Sequence, residues 1–219
     1  MITYEEIKNN EQINTYITEA DKTLLSMGYT NHSFSHVVKV AEAAEYILSS
    51  LGYDSRTVEL AKIAGYLHDI VNLVNRDGHS QSGAVMAFRI LDNLGMDPRE
   101  ISSVVSAIGN HDEGNGVAVN AESAALILAD KSDVRRSRVR NTNISSFDIH
   151  DRVNYSVTSS CLTLSEDKKA IILNLEIDTT ISPVMEYFEI FLTRMKMCRR
   201  AADFLDLSFK LIINGQSIL

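Results

Sequence analysis

The sequence predicts a mostly α-helical protein that ends in a small α+β layer of β-β-α-β order. Three observations carry this. Apolar residues recur at three- and four-residue spacing through six stretches of the first 145 residues. One helix ending occurs three times, at Met27-Gly28-Tyr29, Leu51-Gly52-Tyr53 and Leu94-Gly95-Met96, where glycine can take the left-handed conformation just past a helix. After residue 148 the apolar period shortens to two, the mark of strands with one buried face.

Residues 4 to 27 read as the first helix, with Ile7, Ile13, Ile17, Leu24 and Leu25 on a stripe. The second covers roughly 33 to 51 and carries His36, Val40, Ala41, Ala44, Ile47 and Leu48 at helical spacing. Asp54 or Ser55 caps the third, which climbs through Leu60 and Ile63 to His68-Asp69. A polar loop with Asn72, Asn75, Arg76 and Gly78 precedes a fourth helix that begins near His79 and runs to Leu94. The fifth starts at Asp97-Pro98-Arg99-Glu100, where an Asp cap, a first-position Pro and a third-position Glu agree. It ends at Asn110-His111-Asp112. The sixth runs from about Asn120 to Asp130 and leads into a basic run of Lys131, Arg135, Arg136, Arg138 and Arg140.

In the tail, Val153, Tyr155 and Val157 alternate with polar residues, as do Ile171, Leu173, Leu175 and Ile177, and a third run holds Leu207, Phe209, Leu211 and Ile213. Between the last two lies a helix begun by Ser182-Pro183, whose stripe of Val184, Phe188, Phe191, Met195, Cys198, Ala202 and Leu205 is expected to cover the sheet. The expected division is a helical domain at 1–145 and a small α+β domain at 146–219.

Composition limits the function. With 45% hydrophobic residues the chain can bury a full core, and two Pro and ten Gly leave no low-complexity linker. Two cysteines, Cys161 and Cys198, are too few for a disulfide framework and are expected in the core. A net charge of −8 argues against broad nucleic-acid binding. The first residues are too polar for a signal peptide and no apolar run is long enough to span a bilayer, so the expected location is the cytoplasm.

Four residues carry chemistry: His36, His68, Asp69 and Asp130 each end or interrupt an apolar helical run, where a polar group needs a partner. Two imidazoles and two carboxylates make a mixed nitrogen and oxygen set that suits Mn, Fe, Co, Ni or Zn better than Ca. Asp133, one turn beyond Asp130, is the alternative fourth member. His32 reads as a cap or a residue behind the ligands, and His150-Asp151 as a turn before a strand.

In order and helical context this set resembles the HD-domain metal-dependent phosphohydrolases over residues 30 to 140. His36-Val37-Val38-Lys39-Val40 is similar to that family's first metal helix, Leu67-His68-Asp69-Ile70 to its name-giving motif, and Leu128-Ala129-Asp130-Lys131 to its closing Asp. His79 and His111 match the subgroup that binds a second metal. The resemblance implies that Asp69 bridges, that His36 and Asp130 hold one ion, and that His79 and His111 hold the other. Val71 stands where many relatives have Gly, and Asp112 where cyclic-dinucleotide phosphodiesterases have a second His.

The function this implies is hydrolysis of a phosphate ester or anhydride, with a nucleotide-like substrate, by a hydroxide that one or two divalent metal ions activate. Asp69 and Lys131 are the expected catalytic residues, and Lys131, Arg135 and Arg136 the expected phosphate contacts. The alternative is a regulatory protein that holds metal and ligand without turnover, its tail making a homodimer contact. Oxygen chemistry at a di-iron site is a third reading.

Overall fold

The computed structural model describes residues 1–114 and 116–218. Nine α-helices and a four-stranded sheet lie within them. The helical part runs α1 (Tyr4–Lys8), α2 (Glu11–Ser26), α3 (Phe34–Leu51), α4 (Ser55–Leu67), α5 (His79–Asn93), α6 (Pro98–Gly109) and α7 (Ala121–Ser132). The expected caps are present. Asp54 accepts the Arg56 and Thr57 N–H groups, Asp97 accepts that of Arg99, and Asn120 accepts that of Ser123. Gly28, Gly52 and Gly95 all sit at positive φ, between 75° and 85°. The expected first helix is split in two, because Asn10 turns its side chain back to accept the Ile13 N–H and restarts the helix.

The central element is α7. Ala124 through Ala129 are all buried, so this helix is apolar on every side, as an element surrounded by others must be. It packs against α3, α4 and α6, and α9 (Val184–Phe204) also lies on it. That position brings its polar end, Asp130, beside the ends of α3 and α4.

The approach of α3 to α4 depends on Gly65. A Cβ there would lie 2.9 Å from the Ala41 Cα and 3.0 Å from the Ala41 nitrogen, both backbone atoms. Helix propensity alone would favour alanine at such a site by ~1 kcal/mol. The backbone cannot yield cheaply, and overpacking costs about 1–3 kcal/mol. Gly65→Ala is therefore expected to be net destabilising, read as a lower midpoint in chemical denaturation; an unchanged or higher midpoint would refute the close crossing.

The tail contains α8 (Ile149–Ser156), β1 (Val157–Leu164), β2 (Ala170–Ile177), α9, β3 (Ser208–Ile213) and β4 (Gln216–Ser217). The order on the sheet is β1-β2-β3-β4, with β2 and β3 parallel and joined by α9 and the other pairs antiparallel. Val153 and Tyr155 belong to α8, not to the strand expected there. Three alternating apolar residues are too short a pattern to distinguish the two periods, and Asp148 caps a helix by accepting the Asp151 N–H. Phe191, Met195, Cys198 and Ala202 are buried where α9 sits between the sheet and α7. Cys161 is exposed, not in the core, because the edge strand β1 leaves one face open. The apolar core runs without a break across residue 145. No helix among the described residues is long and apolar enough to cross a membrane.

Candidate metal centre

Five helix ends meet at one edge of the bundle, and each delivers a polar side chain. His36 lies in the first turn of α3, His68 and Asp69 close α4, and His79 opens α5. His111 follows α6, and Asp130 stands in the last turn of α7. Gly78, at φ 64°, makes the sharp entry into α5 that places His79. His36, His68 and His111 are fully buried, and Asp69 and His79 nearly so.

The imidazoles are oriented alike. The His36 Nδ1 lies 2.8 Å from Asp133 Oδ2, and that of His68 2.8 Å from the Gly65 carbonyl. The His79 Nδ1 lies 3.0 Å from the Arg76 carbonyl, and that of His111 2.6 Å from the Ile108 carbonyl. His32 joins them, with Nδ1 2.6 Å from the Thr30 carbonyl. These oxygens only accept, so each Nδ1 donates and each Nε2 is turned inward.

Those nitrogens can take a cation. The Nε2 atoms of His36 and His68 are buried without a hydrogen-bond partner. The His79 and His111 Nε2 atoms face each other at 3.1 Å, two acceptors in contact unless one ring is protonated. Burial opposes that charge in both rings: it lowers the pKa of His79 and holds that of His111 well below the usual value, where Lys131 adds to the effect. A divalent ion would satisfy these nitrogens without a proton.

The carboxylates complete two sets. Asp69 Oδ2 lies 3.3 Å from His68 Nε2, 3.7 Å from His36 Nε2 and 4.0 Å from His32 Nε2. Its Oδ1 faces His79 Nε2 at 3.7 Å and accepts from Arg76 at 2.9 Å. Asp130 Oδ1 is 3.4 Å from His36 Nε2 and 3.7 Å from His68 Nε2. Its Oδ2 accepts from Lys131 Nζ at 2.6 Å. Burial alone would raise both carboxyls. His68 and Arg76 more than reverse this at Asp69, and Lys131 and His36 do so at Asp130, so both stay well below the usual carboxylate range. His36, His68 and Asp130 form one group of closely spaced ligand atoms, and His68, Asp69 and His111 another.

A match to the HD domain family runs from residue 33 to residue 140 and includes all six of the expected ligands. This stretch is an HD domain. HD domains bind divalent metals, and the two His/Asp groups are where this one can do so. The uncharacterized protein MJ1020 of Methanocaldococcus jannaschii is 25% identical over 210 aligned residues, covering 85% of this chain and 79% of its own length. The crystal structure of a predicted HD superfamily hydrolase from an uncultured Thermotogales bacterium shares 28% identity over 57% of this chain and 67% of its own, with a TM-score of 0.45. The HD match and the ligand groups together support a metal-binding HD domain.

The structure gathers His36, His68, Asp69, His79, His111 and Asp130, and puts Asp133 behind His36 rather than among the inward-facing atoms. It turns the expected phosphate contacts elsewhere. Arg135 is held by Asp133, Ser137 and the Ser35 carbonyl. Arg136 donates to the Tyr155 carbonyl and stacks on the Tyr155 ring. The Lys131 ammonium is buried between Asp130 and Glu113, 2.6 and 3.4 Å from their oxygens, so it holds Asp130 in place. Glu113 in turn accepts from Arg194 at 2.9 Å. Burial opposes its charge, but Lys131 and Arg194 together bring its pKa down to about 2. Sequence reasoning set His32 aside and missed Arg76, Arg194 and Glu113. The spacing of His32 and His36, one helical turn apart at a helix start, was a usable signal for the first.

Proposed function

We propose that this chain is a metal-dependent phosphohydrolase acting on a phosphate ester or anhydride. The observation that supports it most is the convergence of inward-facing Nε2 lone pairs on two carboxylates, with an arginine at their edge. His36, His68 and Asp130 would hold one ion, and His79, His111 and Asp69 a second, with Asp69 shared. When bound, such ions lower the pKa of a coordinated water towards neutrality and polarise phosphoryl oxygens.

The chain's own groups do the rest. The outward hydrogen bonds fix each imidazole tautomer before a ligand arrives. Lys131 keeps Asp130 ionised and aimed. Arg76 offers a guanidinium beside Asp69, where the charge of a transferring phosphoryl group needs compensation. The tail contributes Phe191 and Arg194 on α9 and Asp148 at the start of α8 to the wall of the neighbouring cavity, a role in the site itself.

The test is elemental analysis of the purified protein, followed by phosphate-release assays on mono- and diesters with added Mn, Fe or Co. Bound transition metal, together with turnover that EDTA abolishes and metal restores, is the expected result. Metal without turnover on any phosphate substrate would favour the binding-protein reading, and turnover that depends on dioxygen would favour oxygen chemistry.

A further inference from the structure

Four charged side chains run in alternating sign from the candidate metal centre into the tail. Asp130, whose Oδ1 faces His36 and His68, gives its Oδ2 to the Lys131 ammonium at 2.6 Å. Lys131 has only 2% of its side chain exposed, and its Nζ lies 3.4 Å from Glu113 Oε1. The same Glu113 oxygen accepts from Arg194 Nε at 2.9 Å. The Arg194 guanidinium lies over the buried Phe191 ring, 4.2 Å from its centre. Arg194 and Phe191 belong to α9, well past the end of the HD match at residue 140.

Glu113 is placed to act on both ligand groups. It follows His111 by two residues, in the segment that joins α6 to α7. That segment is folded tightly. The Gly116 N–H donates to the Asp112 carbonyl at 2.9 Å, and a Cβ on Gly116 would strike the Asn110 and Asp112 carbonyl oxygens and the Met197 Cε. Arg194 and Met197, one turn apart on α9, therefore both meet this segment. Lys131 needs Glu113 as well as Asp130. With Asp130 alone, the buried ammonium would turn its whole attraction on that one carboxylate and compete with a bound cation for it. Glu113 divides that attraction, and Arg194 balances the charge of Glu113.

We infer, resting on the metal-dependent reading of this centre, that Arg194 and Glu113 are positioning residues for metal binding. Through Lys131 they hold Asp130, and through the segment between α6 and α7 they hold His111. The tail thus sets the metal affinity of a centre whose ligands all lie within the HD match. Neither residue touches the ligand atoms; each acts through a neighbour, as partners behind metal ligands do.

The test is calorimetric titration of the metal-depleted full chain with manganese, with thermal melting of the same metal-free samples as a check on the fold. Arg194→Met keeps a long side chain without its charge and should weaken manganese binding about tenfold, the lower end for residues behind metal ligands. Arg194→Lys returns a cation to Glu113 and should recover most of that loss. Glu113→Gln should weaken binding by a similar factor. Adding Arg194→Met to Glu113→Gln should change little more, because Arg194 acts through that carboxylate. Wild-type manganese affinity in Arg194→Met, or in Glu113→Gln should Arg194→Met fail to fold, overturns the inference and leaves the metal centre standing. A loss that Arg194→Lys does not recover, or that adds in full to that of Glu113→Gln, also overturns it, since Arg194 would then be structural support only. Wild-type protein that takes up neither manganese nor iron, cobalt or zinc overturns the metal-centre reading and this inference with it.

Discussion

Asp69→Ala is expected to strip bound metal from the protein and to lower turnover by about a thousandfold or more, equivalent to at least ~4 kcal/mol of transition-state stabilisation. The size follows from the position of its two oxygens. Oδ2 lies with His68 and His36, Oδ1 faces His79, and no other carboxylate among the described residues reaches both sides in this way. Removing it weakens both ligand groups together, whereas Asp130→Ala would remove only the partner of His36 and His68. The metal-free protein should also suffer. Arg76, its side chain about 24% exposed, would lose its 2.9 Å carboxylate partner, a charged hydrogen bond worth about 1.5–3 kcal/mol. Asp69→Asn keeps the volume and an oxygen for Arg76, so it separates the two effects: metal and turnover fall while most stability remains. Elemental analysis, phosphate release and chemical denaturation on both variants provide the check. Full metal content with wild-type turnover in Asp69→Ala would remove the basis for the proposed centre.

The residues of this centre were more legible than its surroundings. His36, His68, Asp69 and Asp130 stood out because each sits where an apolar stripe should continue, and burial makes such a group conspicuous in one dimension. The caps at Asp54, Asp97 and Asn120 were legible for the same reason, being local chemistry between residues two or three apart. The cationic residues around the cavity were not. Arg135 and Arg136 are close to Asp130 in sequence, but the chain turns through a 3-10 segment at Arg136–Arg138, where Asp133 and the Ser35 carbonyl hold Arg135 and the Tyr155 carbonyl holds the Nε of Arg136. The arginines that face the cavity come from a loop before α5, from that same turn and from α9, and only tertiary packing brings Arg76, Arg138 and Arg194 together. The place of α8 on the cavity wall was hidden similarly. Its short alternation read as a strand, which removed His150 and Asp151 from consideration as part of a site.

Asp133 touches none of the inward-facing atoms, yet its loss should weaken metal binding by about tenfold to a hundredfold. Its Oδ2 accepts from His36 Nδ1 at 2.8 Å, which fixes the tautomer that aims Nε2 inward and makes the ring a stronger donor. Asp133→Asn retains an acceptor but loses the charge and should fall at the lower end of that range; Asp133→Ala loses both. The same carboxylate is also structural, with Lys39 at 3.0 Å, Arg135 at 2.8 Å and Arg138 at 3.7 Å. Burial works against its ionisation, but His36 and the surrounding cations prevail and hold its pKa far below the carboxylate range. A pKa lower in the folded state than in the unfolded one stabilises the fold fully above the unfolded value, about 3.9, and that contribution is lost as pH falls below it. In metal-depleted protein, denaturation from about pH 7 to about pH 3 should therefore show the wild type ahead of Asp133→Asn at neutral pH and the gap closing in acid. A gap that is constant with pH would mean that the Asp133 charge contributes nothing, and undiminished metal affinity in Asp133→Ala would mean that His36 needs no such support.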